Sequence, residues 1–157
     1  FKQKTAYEIR LSLVGSEMCI RDRNSCPAIP PAPDDASVAE NVRAIQQSMR
    51  FGTQAGTAVI FYDLVNNGGG WDYKKNGHPE YDPFGNFSYG ATGTAVGFSA
   101  NILHRMAGYV AETSDSGRSG KASLWRAIFG KPYPDSQADS IIIAAGIQYT
   151  RNKCYSK

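Results

Sequence analysis

Histidine, cysteine and long apolar runs are scarce in this chain, and each shortage removes a class of function. Two histidines, His78 and His104, among 157 residues exclude a three-histidine zinc site, and the three cysteines have none of the paired spacing of a structural zinc module. No run of about 18 apolar residues occurs, so stable membrane insertion is not expected. Nor does charge of one sign dominate. The 17 Lys and Arg stand against 14 Asp and Glu, and residues 1–23 hold five of the former and three of the latter, leaving 12 against 11 in the remainder. So even a balance gives no general pull toward nucleic acid or membrane. The nucleophile elbow, the Walker loop, the dinucleotide fingerprint and the metalloprotease helix are absent as well. The run Asn66-Asn67-Gly68-Gly69-Gly70 precedes Trp71 rather than a helix, which makes it a poor phosphate loop.

In residues 1–23 the apolar positions are too few and too broken by charge for a secretory leader. The stretch resembles a translated sequencing-adaptor read-through and is expected to be non-native. Residues 24–35, NSCPAIPPAPDD, read as a Pro-rich linker, extended and solvated. From residue 24 onward about 134 residues remain, enough for one domain with its own core. Cys19 falls in the first stretch, whereas Cys26 and Cys154 flank the rest. These two could close a disulfide across nearly the whole domain, stabilising it by roughly 4 kcal/mol, or stay apart if the Pro-rich tail never approaches Cys154.

Asp35 is placed to cap a first helix in which Val38, Val42, Ile45 and Met49 share a face, with Asn41, Arg43, Gln46 and Arg50 opposite and Gly52 and Gly56 at its end. The segment 58–65 fits strand or helix by composition, and Asp63 with the following Asn/Gly stop favours a short helix. Residues 91–111 predict a further helical region with Ser99 as a cap and a stripe of Phe98, Ile102, Met106 and Tyr109. A short amphipathic helix over 122–129, with Leu124 and Trp125 facing inward, precedes a last helix over 137–152 that buries Ile142, Ile143, Ile147 and Tyr149. The class is therefore mainly α, a compact single domain of four to five helices. The alternative is α+β, with a small hairpin pairing 71–73 with 81–87.

The stretch 71–93, WDYKKNGHPEYDPFGNFSYGATG, stands apart. Gly77, Pro79, Pro83, Gly85, Gly90 and Gly93 interrupt it, which predicts a long structured loop rather than a helix. Its rings, Trp71, Tyr73, Tyr81, Phe84, Phe87 and Tyr89, would each contribute on the order of 2 kcal/mol if buried. A loop packed by its own aromatics and carrying Asp72, Lys74, His78, Glu80, Asp82 and Asn86 is a natural place for a site. His78 beside Glu80 and Asp82 is either a general base or a solvated loop histidine. Asp135 and Asp139 could join these carboxylates in binding a divalent cation through oxygen ligands or in acid–base chemistry, although an N-cap and a first-turn partner of the helix dipole explain them as well. Asn86 either polarises a substrate oxygen or simply makes a turn.

The blocks Phe84-Gly85-Asn86-Phe87 and Tyr89-Gly90-Ala91-Thr92-Gly93 carry a resemblance, together with Trp71-Asp72-Tyr73-Lys74 upstream and Asp135, Asp139 and Gly146 downstream. They resemble the bacterial polymorphic toxin type 44 domain, with residues 36–157 as the toxin-like module. Where that family tends toward Tyr-Gly-Asp-Asp, this chain has Tyr133-Pro134-Asp135-Ser136, which weakens a metal role there. The resemblance implies the toxic module of a larger effector, secreted or delivered into competitor cells and neutralised in the producer by a cognate immunity protein. On that basis a hydrolytic site is expected. Asp72 or Asp139 would serve as the acid–base group, Lys74 as charge stabiliser, and Asn86 and Tyr89 as hydrogen-bonding ligands. Trp71, His78, Asp82 and Asp135 would complete a substrate-binding wall. RNA or peptidoglycan would be the substrate, with no metal or other cofactor and with the isolated domain a monomer. A non-enzymatic protein-binding module of a phage-tail or Rhs-like assembly is the alternative.

Overall fold

A helix occupies the place where the glycines and prolines predict a loop. In the computed structural model, which describes residues 25–66, 68–74, 78–115 and 137–156, the chain forms α1 (Val38–Phe51), α2 (Gln54–Val65), a 3-10 turn (Pro79–Tyr81), α3 (Asp82–Val96), α4 (Ala100–Asp115), α5 (Gln137–Arg151) and a last 3-10 turn (Cys154–Ser156). The mainly α class holds, and no strand occurs among the described residues. The alternative hairpin is excluded because residues 81–87 belong to the turn and to α3. Of the expected loop, residues 79–93 belong to the 3-10 turn and α3. The expected helix over 122–129 lies outside the described residues.

α3 forms because each breaker sits where it does no harm. Pro83 lies in the first turn, where a missing N–H costs nothing. Gly97, at φ 101°, ends the helix in the left-handed conformation, and Phe98 N–H reaches back to the Gly93 carbonyl at 3.1 Å. Gly90 and Gly93, in between, are needed for packing. A Cβ on Gly90 would fall onto the Ile143 carbonyl, and one on Gly93 would fall onto the Leu103 side chain, 3.2 Å from Phe61. On α5, Gly146 meets the Phe87 carbonyl in the same way. The two helices thus touch backbone to backbone. Thr150 Oγ1 donates to the Ala91 carbonyl across the contact at 2.9 Å, and Phe87 meets Tyr149 edge-on. Along one row 86 meets 139 and 90 meets 143, and along the next 87 meets 146 and 91 meets 150, so each row advances in the same sense and α3 and α5 run in the same general direction.

The core lies on both sides of α3. One cluster joins Ile45, Phe61, Val96, Leu103, Met106, Tyr109, Ile143 and Ile147. The other joins Val38, Val42, Phe84, Phe87, Ala91, Tyr149 and Cys154. Because α3 is covered on nearly every face, it carries small residues all round and shows no amphipathic stripe.

The other caps follow ordinary chemistry. Ser37, not Asp35, caps α1, its Oγ accepting from Glu40 N–H at 3.4 Å. Thr53 caps α2, and Ser99 accepts from Ile102 N–H at the start of α4 as expected. Gly68, at φ 83°, turns the chain beyond α2, and Trp71 N–H bonds back to the Leu64 carbonyl at 2.8 Å. The Asn/Gly run is therefore a helix stop. The Pro-rich segment is extended but not fully solvated. Cys26 is bonded to Cys154, Asn152 Nδ2 donates to the Ser25 carbonyl at 2.8 Å, and Ala32 and Ala36 pack on the second cluster.

Candidate functional site

The parallel pairing of α3 and α5 brings two of the expected site residues, 53 positions apart, into direct contact. Asn86 Nδ2 donates to Asp139 Oδ1 at 2.8 Å, with the bond partly buried. Asp139 lies in the first turn of α5, whose N-terminal dipole favours negative charge, and Asn86 opens the second turn of α3. Asp82 precedes Asn86 by four residues on α3 and so shares its face, one turn away. Lys74 closes on Asp82, Nζ to Oδ1 at 3.4 Å, with both side chains open to solvent. Two carboxylates on either side of a carboxamide, with an ammonium at the rim, can divide proton donation and acceptance between them while Asn86 fixes Asp139 in orientation.

The remaining expected residues are placed differently. Asp72 Oδ2 accepts from the Gly68 N–H at 2.8 Å, so this carboxylate ties the turn after α2. Trp71 is half-buried against the first cluster. Tyr89 turns toward α2 and α4. Its ring packs 5.7 Å from that of Phe61, and its hydroxyl donates to the Leu103 carbonyl at 2.9 Å. These contacts give it a place beside the first cluster. His78 is exposed and pairs with Glu80 at 3.0 Å, and this hydrogen bond holds the Glu80 carboxyl below its ordinary range. Asp135 lies outside the described residues. Among the described residues no group of His, Cys, Asp and Glu is arranged to hold a metal ion, and no helix is long and apolar enough to cross a membrane.

One polar network escapes the sequence pattern. Asn41, read from the sequence as lying on the outer face of α1, is buried, and its Nδ2 donates to Tyr73 Oη at 2.6 Å and to Ser88 Oγ at 3.2 Å. The register held the clue, since residue 41 lies three after Val38 and four before Ile45, both buried. Tyr73 also stands edge-on to Phe84 at 4.7 Å. Burial pushes its phenol above the ordinary value near 10, against the opposing pull of the Asn41 hydrogen bond. These contacts fasten the segment 71–74 to α1 and α3, and so position Lys74 beside Asp82. Replacing Asn41 with alanine leaves Tyr73 Oη and Ser88 Oγ without their shared donor. The expected cost is about 1–3 kcal/mol by urea unfolding, and an unchanged midpoint would show the network to be idle.

No curated protein and no solved structure matches the chain. A family model does, over the residues that build α3, α5 and the contact between them. Residues 77–152 match the family model of bacterial toxin 44 (Ntox44), the family that the aromatic and glycine blocks of α3 resemble.

Proposed function

We propose that this toxin domain is a hydrolase acting on a polymer of the competitor cell, RNA or peptidoglycan, and that it works where Asn86 of α3 meets Asp139 of α5. The single observation behind the reading is the Asn86–Asp139 hydrogen bond, which joins two polar side chains from distant parts of the matched segment at the first turn of α5, where the helix dipole favours an anion. In this reading Asp139 is the acid–base group, Asn86 orients it, Asp82 is the second carboxylate and Lys74 stabilises developing negative charge. Asp72 and Tyr89 serve the architecture around the site. As an effector module the domain would be delivered from a larger secreted protein and held in check in the producer by a cognate immunity protein.

Controlled expression in a bacterium, with and without a periplasmic targeting signal, tests the proposal. Growth arrest with degraded RNA in the cytosolic arm supports a ribonuclease, and lysis restricted to the periplasmic arm supports a cell-wall hydrolase. A folded chain that is harmless in both compartments would sink the hydrolase reading and favour a non-enzymatic binding module.

A further inference from the structure

We infer that the Cys26–Cys154 disulfide confines the folded domain to an oxidising compartment, which makes cell-wall glycan rather than RNA the substrate class. The substrate half of this inference rests on the hydrolase proposal above, whereas the compartment half rests on the disulfide alone.

The bridge joins positions 128 residues apart in the chain, with the two Cα atoms 5.7 Å apart. Closing a loop of that length disfavours the unfolded chain by roughly 10³-fold in the folding equilibrium, which is comparable with the whole stability of a marginal domain. The segment from Ser25 to Ala36 is also held by the Asn152–Ser25 bond and by the half-buried Ala32 and Ala36. At the other end, Cys154 is buried beside Tyr155, whose carbonyl accepts from Arg43 Nη2 and whose hydroxyl accepts from Gln46 Nε2, both at 2.7 Å. The bridge therefore ends on the turn that holds α1, and α1 holds Tyr73 through Asn41. Loosening that turn is transmitted along these bonds to Lys74 and the site.

Cys26 is the exposed end of the bridge. A thiolate of a dithiol reductant attacks its sulfur, and Cys154 leaves as a thiolate and takes up a proton. The second thiol of the reagent then displaces Cys26, which is protonated in turn, while the reagent closes to its own disulfide. The bacterial cytosol keeps thiols reduced by this exchange, whereas the periplasm and the exterior do not. RNA is met in the first environment and peptidoglycan in the second.

The test compares the full chain oxidised, the same chain reduced with dithiothreitol and alkylated, and a C26S/C154S variant. Urea unfolding is expected to show a loss of roughly 10³-fold in the folding equilibrium for both forms that lack the bridge. A loss smaller than tenfold overturns the compartment inference. The same samples are then incubated with purified sacculi and with total RNA. The oxidised chain is expected to release soluble glycan fragments and to leave RNA intact, with both forms that lack the bridge inactive. RNA cleavage by any form overturns the glycan assignment while upholding the hydrolase. An oxidised chain inert toward both polymers sinks the hydrolase proposal and the glycan assignment with it, and the compartment half is then decided by the unfolding measurement.

Discussion

Replacing Gly146 with alanine is expected to destabilise the domain by about 3 kcal/mol or more, a fall of roughly 10 °C in Tm. In an isolated helix the same change would stabilise by about 1 kcal/mol, because alanine is the better helix former. Packing reverses the sign. The added Cβ falls inside the Phe87 carbonyl oxygen and 3.0 Å from the Ala91 amide nitrogen, and both are backbone atoms that cannot rotate away. Accommodating it means separating α3 from α5, which strains the Thr150–Ala91 bond and opens the second cluster around Phe87 and Tyr149. Gly85 supplies the control on the same pair of helices. A Cβ there meets nothing within 4 Å, so Gly85→Ala should be neutral or stabilising by up to about 1 kcal/mol. Urea unfolding of the two variants side by side separates the accounts. Equal effects would mean that the close approach of the helices is not what the glycine serves.

The largest expected effect on activity is that of Asp139→Asn. The substitution is isosteric and leaves an oxygen to accept from Asn86 Nδ2, so the α3–α5 contact survives. What disappears is the charge and the capacity to exchange a proton. As a first-turn acid, Asp139 interacts with the dipole of α5, and neutralising it should cost only about 0.3–1 kcal/mol of stability. As the acid–base group of the proposed site, it should cost about 10²–10⁴-fold in the rate of polymer cleavage. The two measurements divide the structural role from the catalytic one. A variant as toxic as the native chain, with its small stability loss intact, would leave Asp139 as a helix-dipole partner and nothing more.

The order in which the chain disclosed its helices follows from where their information lies. α1, α4 and α5 have local periodicity. Val38, Val42 and Ile45, then Leu103 and Met106, then Ile143 and Ile147, recur at helical spacing because each helix buries one face and leaves the other in water. α3 has no such face. Its Gly90 and Gly93 are explained by the Ile143 carbonyl and by Leu103, which come from other parts of the chain, so within its own sequence they read as breaks. Pro83 misleads in the same direction, although its place in a first turn is one that a helix tolerates.

The candidate site divides along the same line. Asn86, Asp82, Lys74 and Asp139 stand out by residue type and by the aromatic and glycine signature around them, and the signature alone pointed to the toxin family that residues 77–152 match. Their pairing was not legible, nor was the removal of Asp72 to a turn and of Tyr89 to the first cluster. Asn41 looked exterior until Tyr73 and Ser88 came to it from two other elements.

By itself, then, the sequence determined the helical class, the three amphipathic helices, the cap at Ser99, the stop at Gly52 though not at Gly56, which lies in the first turn of α2, and the family signature, because each of these is settled by neighbours within a few positions. Only the tertiary structure decided that the signature is a helix, that it runs parallel to α5 at backbone contact, that Asn86 meets Asp139, and that Cys26 reaches Cys154. Each of those depends on groups tens of residues apart, and it is the absence of a side chain at Gly90 and Gly146 that lets the two helices come close enough for the rest to form.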